Sequence, residues 1–348
     1  MKTKRIMKSA LVFAMTAGFM LASSFGSNLF AAGKVIKWKA HAHYPSSSPS
    51  YQDSVIVVAD KIKERTGGRL VIETYTANSL VPSKEIFNAV KRGMVQMGVT
   101  AASYFRAQIP AVGIAAGLPY TFKTPAQAAY FFKRKGYEKM IQDIALEKHG
   151  LLFFIDRAYP TELVVKKPIS SIDDFKGLKL RSSGVIQKYL TSLGAAASYI
   201  SGAEVYTSLS TGVVDGAHWG AVQGAAKMNF YDMCKYHLRP ALTVAGTDTW
   251  LINQKAFNKL PADIQAIVKQ VMEEHFWQRS NQYEHQEAVT LAKAQQSKGV
   301  KLSILPQADQ KKMTQIAEKL WDKEAKTDPT YAKAINMMKD YLREIGAL

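Results

Sequence analysis

Residues 261–297 constrain this 348-residue chain more than any other stretch. Ile264, Ile267, Val268, Val271 and Met272 recur at helical spacing, and Phe276, Tyr283, Ala288 and Leu291 continue the stripe. Pro261 suits a first helical turn and Gly299 suits an end. A single helix over that span is ~55 Å long at 1.5 Å per residue. One small lobe is shorter than that. The chain is long enough for two bodies, and the helix is expected to lie across both.

Upstream, strand-like and helix-like stretches alternate. Strands are expected at 35–43 (VIKWKAHAH), 69–76 (RLVIETYT) and 94–102 (MVQMGVTAA), with helices at 51–66 and 82–91 between them. Gly67, Gly68 and Gly93 stop those helices. This β-α-β-α-β order predicts an α/β body. Residues 107–122 are apolar and broken by Pro and Gly, which suits a buried connection rather than a strand pair. Helices at 125–133 and 136–146 follow, then an apolar strand at 151–157 that leaves the first body, while 161–167 begins the second. The motif AVKRGMVQMG returns as SLSTGVVDGA, matching Gly93 to Gly212, Val95 to Val214 and Gln96 to Asp215. Two similar α/β lobes fit that repeat. TDTWLINQKAF reads as a strand returning to the first lobe, and helices at 308–325 and 331–342 are expected to close the second. The expected division is 33–157 with 246–285 for lobe I, and 158–245 with 286–348 for lobe II.

Residues 1–32 read as a secretory leader. Lys2, Lys4, Arg5 and Lys8 precede an apolar run over 11–21, and Ala31 and Ala32 offer a cleavage site. No later stretch approaches the ~20 apolar residues of a membrane helix. The formal net charge is +18, and removal of the four leader cations leaves +14. That charge raises nucleic acid as a partner. The lysines are scattered and no nucleic-acid motif is present, so small anions or an acidic partner surface fit better. Cys234 is the one cysteine. It has no internal disulfide partner, and its helix-like setting, YDMCKYHL, suits a buried free thiol. There is no GxSxG, HExxH, P-loop or GxGxxG motif. His41 and His43 share a strand face, yet no third ligand is evident, and no metal or other cofactor is expected.

The stretch 171–219 carries the functional signal. KGLKLRSSG reads as a strand over 178–181 running into a helix over 185–193, with Ser182, Ser183 and Gly184 at the junction. Free backbone N–H groups and the helix dipole favour an anion there. Arg181 stands at the same junction, and a guanidinium matches a carboxylate with two parallel donors. Its plainer reading is a surface Arg at a strand end. Ligands in open α/β sheets face the carboxyl ends of strands, and clefts between lobes hold small molecules. That rule selects His43 and Tyr44, Ser103 and Tyr104, Arg157, Arg181 and Ser183, and His218 with Trp219. Trp219 also reads as core packing. Arg157 reads either as a second anion contact or as an exposed hinge residue, and Thr161 competes with it for that place.

KGLKLRSSG followed by EVYTSLSTGVVDGAHW resembles the extracytoplasmic solute receptors of TRAP transporters, the DctP-like family. The likeness extends through ERTGGRLVIETY, AVKRGMVQMGV and the long helix after KLPADIQ, nearly the whole mature chain. The resemblance implies a two-lobed α/β periplasmic receptor with hinge strands, without catalysis, that delivers a small organic acid to a membrane permease. It implies that Arg181 pairs with the ligand carboxylate and that Trp219 contacts the ligand. The GVVDGAHW segment is most similar to 2-oxo acid receptors, which often carry Glu before the Trp to help hold a cation. His218 stands there instead, which puts a cation in doubt and leaves a hydrogen bond to the ligand. Monocarboxylates such as 2-oxo, hydroxy or aromatic acids fit, and a sulfonate is the runner-up. An exported enzyme with His218 or His43 as general base is the alternative from another class. Monomer and homodimer both stay open.

Overall fold

The helix–glycine–strand repeat builds two matching halves. The computed structural model describes residues 34–348; the leader expected over 1–32 lies outside the described residues. The first half runs β1 (Ile36–Ala42), α1 (Val57–Arg65), β2 (Leu70–Tyr75), α2 (Ile86–Lys91), β3 (Met97–Ala101), α3 (Pro125–Arg134), α4 (Tyr137–His149) and β4 (Leu151–Ile155). The second runs β5 (Tyr159–Val165), β6 (Lys179–Arg181), α5 (Gly184–Ser192), β7 (Ala196–Ser198), α6 (Val205–Ser210), β8 (Gly216–Gly220), α7 (Val222–Lys227), β9 (Tyr236–Arg239) and β10 (Thr243–Gly246). The chain then returns through β11 (Asp248–Asn253), α8 (Gln254–Asn258) and α9 (Ala262–Lys298), and ends with β12 (Lys301–Ile304), α10 (Gln307–Ala325) and α11 (Pro329–Glu344).

Two sheets result. One has the order β2-β1-β3-β11-β4, the other β12-β9-β5-β8-β6-β7 with β10 on β5. In the first, β1 and β3 are parallel and β11 inserts antiparallel between β3 and β4. In the second, β6 lies parallel to β7 and β8, and β5 runs antiparallel to β8 and β9. The repeat is visible atom by atom. Gly93 and Gly212 both take φ of 77°, the left-handed region in which glycine is at ease. Gln96 accepts from the Lys39 N–H through its side chain at 2.9 Å, and Asp215 does the same for the Lys179 N–H at 3.0 Å. Thus β1 corresponds to β6, and β3 to β8.

The chain crosses between the sheets at 156–158 and again at 246–248. Helix α9, 37 residues long, packs on α1 and β4 with one part of its length and on α7 and β5 with another. Its apolar stripe includes Ile264, Val268, Val271, Met272 and Phe276, all buried. Gly299, at φ 64°, stops it. The expected helix across both bodies is therefore present.

One apolar cluster runs from Phe87, Phe105 and Phe131 through Leu163, Leu180 and Tyr189 to Met313, Trp321 and Tyr331. A second, behind β8, gathers Val205, Leu209, Val222 and Phe230. The C-terminal helices differ from expectation. Helix α10 does pack on α5, and the Tyr189 hydroxyl donates to Met313 O at 2.9 Å. Helix α11, expected on the second sheet, instead seats against Pro110–Gly113 and the rings of Phe122 and Phe131. The reason is Gly113: a Cβ there would stand 2.3 Å from the Tyr331 ring, so the glycine leaves the hollow that the ring fills. Asp328 caps this helix by accepting from the N–H groups of Thr330 and Tyr331. Cys234 is fully buried as expected, but it lies between a short 3-10 turn, Phe230–Asp232, and β9, not in a helix. Burial pushes its thiol up to about 12.

Candidate functional site

Strand β6 ends at Arg181, opposite Ala217 of β8. The close approach of β8 depends on Gly216, where a Cβ would lie 2.5 Å from Val164 O. This register sets the Arg181 side chain against the end of β8. Its Nη1 donates to His218 O at 2.7 Å and its Nε to Ile200 O at 3.0 Å. The guanidinium lies over the Trp219 ring, 4.6 Å from the centroid. Arg181 is 5% exposed, so the surface reading is wrong: pairing with β8 draws the strand end inward. No carboxylate is within ion-pair distance of it among the described residues. Burial brings its pKa down to about 10, and it remains cationic at neutral pH.

Arg181 lines a cavity of about 720 Å³ between the two sheets. Tyr44, Tyr104, Arg157, Ser183, His218 and Trp219 line the same space. The fold therefore gathers these seven, with His43 and Ser103, around one cavity, but it gives them different work. Trp219 is seated on glycine: a Cβ on Gly202 would lie 2.7 Å from the indole, and one on Gly224 3.2 Å away. Its other neighbours are Arg181 and Phe230, so it both packs and faces the cavity. Ser183 precedes the first turn of α5, and its side chain makes no capping bond. Tyr104 stands edge-on to His43, with ring centroids 5.7 Å apart, and burial and Tyr199 raise its phenol to about 12.

Arg157 is 2% exposed, which excludes the exposed-hinge reading. It pairs with Asp156 and, at 3.1 Å, with Asp248, and it donates to Ser50 Oγ at 2.9 Å. Its charge is thus already met by two carboxylates. Asp248 is the hub of this network. It also accepts from the Tyr44 hydroxyl, from the Tyr159 hydroxyl at 3.2 Å and from His43 Nε2 at 3.0 Å. Burial opposes ionisation of both carboxyls. For Asp248 the contacts with His43 and Arg157 outweigh it, and for Asp156 those with Arg157 and His275; both stay below the usual carboxylate range. The sequence reading missed Asp248, Tyr159 and Tyr199. Asp248 had a usable signal, since it opens the strand that returns across the cleft.

His218 is 7% exposed, and both ring nitrogens are engaged: Nδ1 with Ser182 Oγ at 3.1 Å, Nε2 with Thr161 Oγ1 at 2.7 Å. Burial and the nearby Arg181 lower its pKa to about 3. A neutral imidazole held by two hydroxyls is a poor general base near pH 7.

Residues 40–328 match the family model described as bacterial extracellular solute-binding protein, family 7. A monocarboxylate 2-oxoacid-binding periplasmic protein of Nostoc sp. is 25% identical, over 100% of this chain and 95% of its own length. Two solved TRAP periplasmic solute binding proteins share the architecture. One, from Pseudoalteromonas atlantica with bound sodium and pyruvate, is 26% identical with a TM-score of 0.82. The other, from Colwellia psychrerythraea with bound calcium and pyruvate, is 26% identical with a TM-score of 0.81. Each comparison covers 90% of this chain and 96% of the other.

Proposed function

Because the chain belongs to family 7 of the bacterial extracellular solute-binding proteins, we propose that it is the receptor of a TRAP transporter, closing two lobes on a small organic anion outside the cytoplasm and handing it to a membrane permease. The carrying observation is Arg181, a buried guanidinium with no carboxylate partner among the described residues. A desolvated cation without a counter-ion is costly, and an incoming carboxylate offsets that cost with two parallel hydrogen bonds. Trp219, Tyr44 and Tyr104 give the cavity its aromatic surface, and Ser183 offers the start of α5. Arg157 lends the ligand no free charge; it holds the crossing between lobes. The ligand class is a monocarboxylate, such as a 2-oxo, hydroxy or aromatic acid, and no bond is made or broken in it.

In this reading residues 33–157 and 246–285 make lobe I, 158–245 and 286–348 make lobe II, and α11 reaches back to lobe I. Ligand bridging the lobes shifts the open–closed population. The cation of the two solved relatives does not fit here. Among the described residues Asp248 is the one acidic residue on the cavity wall, and its carboxylate is already engaged by protein donors. Among the described residues no cluster of three or more His, Cys, Asp or Glu is placed to hold a metal.

The test is a thermal-shift screen of residues 33–348 against monocarboxylates, dicarboxylates and sulfonates, with Arg181→Ala alongside. One acid class is expected to raise Tm, and Arg181→Ala to lose about 2–5 kcal/mol of binding, roughly 30- to 5,000-fold in Kd. A shift that Arg181→Ala leaves intact sinks the assignment of the anchor. A sulfonate-only shift moves the ligand class.

A further inference from the structure

A hard cation such as calcium takes six to eight oxygen ligands, with carboxylates prominent among them. Among the described residues this cavity offers the single carboxylate of Asp248, and four side chains already converge on it. Oδ1 takes His43 Nε2 at 3.0 Å; Oδ2 takes Arg157 Nη2 at 3.1 Å and the hydroxyls of Tyr159, at 3.2 Å, and Tyr44. The other formally charged side chains on the wall are all cationic. Besides Arg157, which is paired, they are Arg181, Lys84 and Lys227, and none of these three has an ion-pair partner among the described residues. Like charges repel, so a metal ion beside the Arg181 guanidinium meets opposition where it needs ligands.

Beside that guanidinium the wall presents a different device. Ser182, His218 and Thr161 form a hydrogen-bonded row, Oγ to Nδ1 at 3.1 Å and Nε2 to Oγ1 at 2.7 Å. Ser182 is fully buried and lies off the cavity wall, whereas Thr161 lies on it. A neutral imidazole has one donor and one acceptor nitrogen. For an anionic ligand the consistent order is Ser182 O–H donating to Nδ1, Nε2–H donating to Thr161 Oγ1, and the Thr161 O–H left to donate into the cavity. The low proton affinity of His218, set by burial and Arg181, keeps the ring in that neutral form.

We infer that this receptor binds its anion without a metal cation, and that the Thr161 hydroxyl, oriented by His218, makes the contact beside Arg181 that takes the place of a cation. The Thr161 contact rests on the receptor reading; the exclusion of the cation rests on the donors alone. His218 is a positioning residue here, acting through Thr161.

The experiment has two arms on the mature chain. In the first, the chelator-treated, acid-free protein is titrated with calcium and with terbium, read by calorimetry and by terbium luminescence excited through tryptophan. No saturable site is expected below millimolar concentration, and a saturable site overturns the cation claim. In the second, pyruvate and benzoate affinities are measured with calcium, with sodium, and with choline as the only cation. Affinities are expected to agree within about twofold, whereas tightening of about tenfold by either metal overturns the claim. Thr161→Val is expected to weaken binding about tenfold and, by leaving the buried His218 Nε2–H without its acceptor, to lower Tm, and Thr161→Ser to restore both. Wild-type affinity in Thr161→Val removes that contact. If no acid of the whole thermal-shift panel binds in any buffer, the receptor reading fails and the Thr161 contact falls with it, while the first arm still decides the cation.

Discussion

Two arginines share one cavity wall and differ in their company. Arg157 meets two carboxylates, whereas Arg181 meets two backbone carbonyls and an indole face. Their variants should therefore diverge. Arg157→Gln leaves Asp156 and Asp248 buried without the counter-charge they share and is expected to cost about 3–5 kcal/mol of folding stability. Arg181→Gln removes a cation that no anion balances, so stability should stay within about 1 kcal/mol of wild type while acid binding is lost. Urea unfolding and calorimetry on both variants check this; the reverse pattern would exchange their roles. His218 makes a prediction with a sign. Its folded pKa of about 3 lies below the ordinary value near 6.5, so the unfolded chain takes the proton first as pH falls. Its contribution to stability is full above pH 6.5 and is lost progressively down to pH 3, with a slope of about 1.4 kcal/mol per pH unit. Urea unfolding of wild type and His218→Gln across pH 4–7 should show a difference that shrinks with that slope as pH falls.

At the level of elements, the repeat explains where the anchor sits. Two residues beyond Lys39 and Lys179 in the matched strands stand His41 and Arg181. His41 Nε2 donates to Thr76 O at 2.9 Å, after β2, and Arg181 Nε donates to Ile200 O at 3.0 Å, after β7. The two halves thus hold different side chains in one backbone frame. The cationic one lines the cavity, and the imidazole is fully buried off its wall. Helix α11 makes an equally local prediction. Gly113→Ala forces a methyl against the buried Tyr331 ring and is expected to cost about 1–3 kcal/mol with ligand affinity unchanged. A wild-type Tm in that variant would mean that α11 does not seat on Pro110–Gly113.

At the scale of the whole molecule, the two rims nearly touch. A Cβ on Gly184 would lie 3.6 Å from Ser103 Cβ, and Lys84 Nζ stands 4.0 Å above the Tyr199 ring. These contacts link residues beside the first sheet to residues beside the second. With the proposed hinge closure, small-angle scattering should show the radius of gyration falling when a bound acid saturates the protein. Tyr199→Ala removes one side of the rim contact and is expected to speed ligand release more than it slows capture, as stopped-flow rates would show. Equal scattering with and without ligand would count against hinge closure.

The β/α alternation, the long helix and the junction at Arg181 are legible in the residues because each rests on local periodicity, on a glycine in the left-handed region, or on a strand running into a helix. Gly93, Gly212 and Gly299 act within a few residues of themselves, and so does the stripe of α9. The fate of each charge is not local. Arg157 and Asp248 are 91 positions apart, and nothing near either one says that they pair. His218 and Thr161 are 57 apart, and their contact exists because β5 and β8 run antiparallel. Gly113 and Tyr331 meet only after the chain has folded back across both sheets. Sequence alone determined which side chains reach the strand ends, because periodicity is written in neighbouring residues. Tertiary structure decided which cation stays without a partner, because compensation of a buried charge depends on whatever the fold brings within a few ångströms of it.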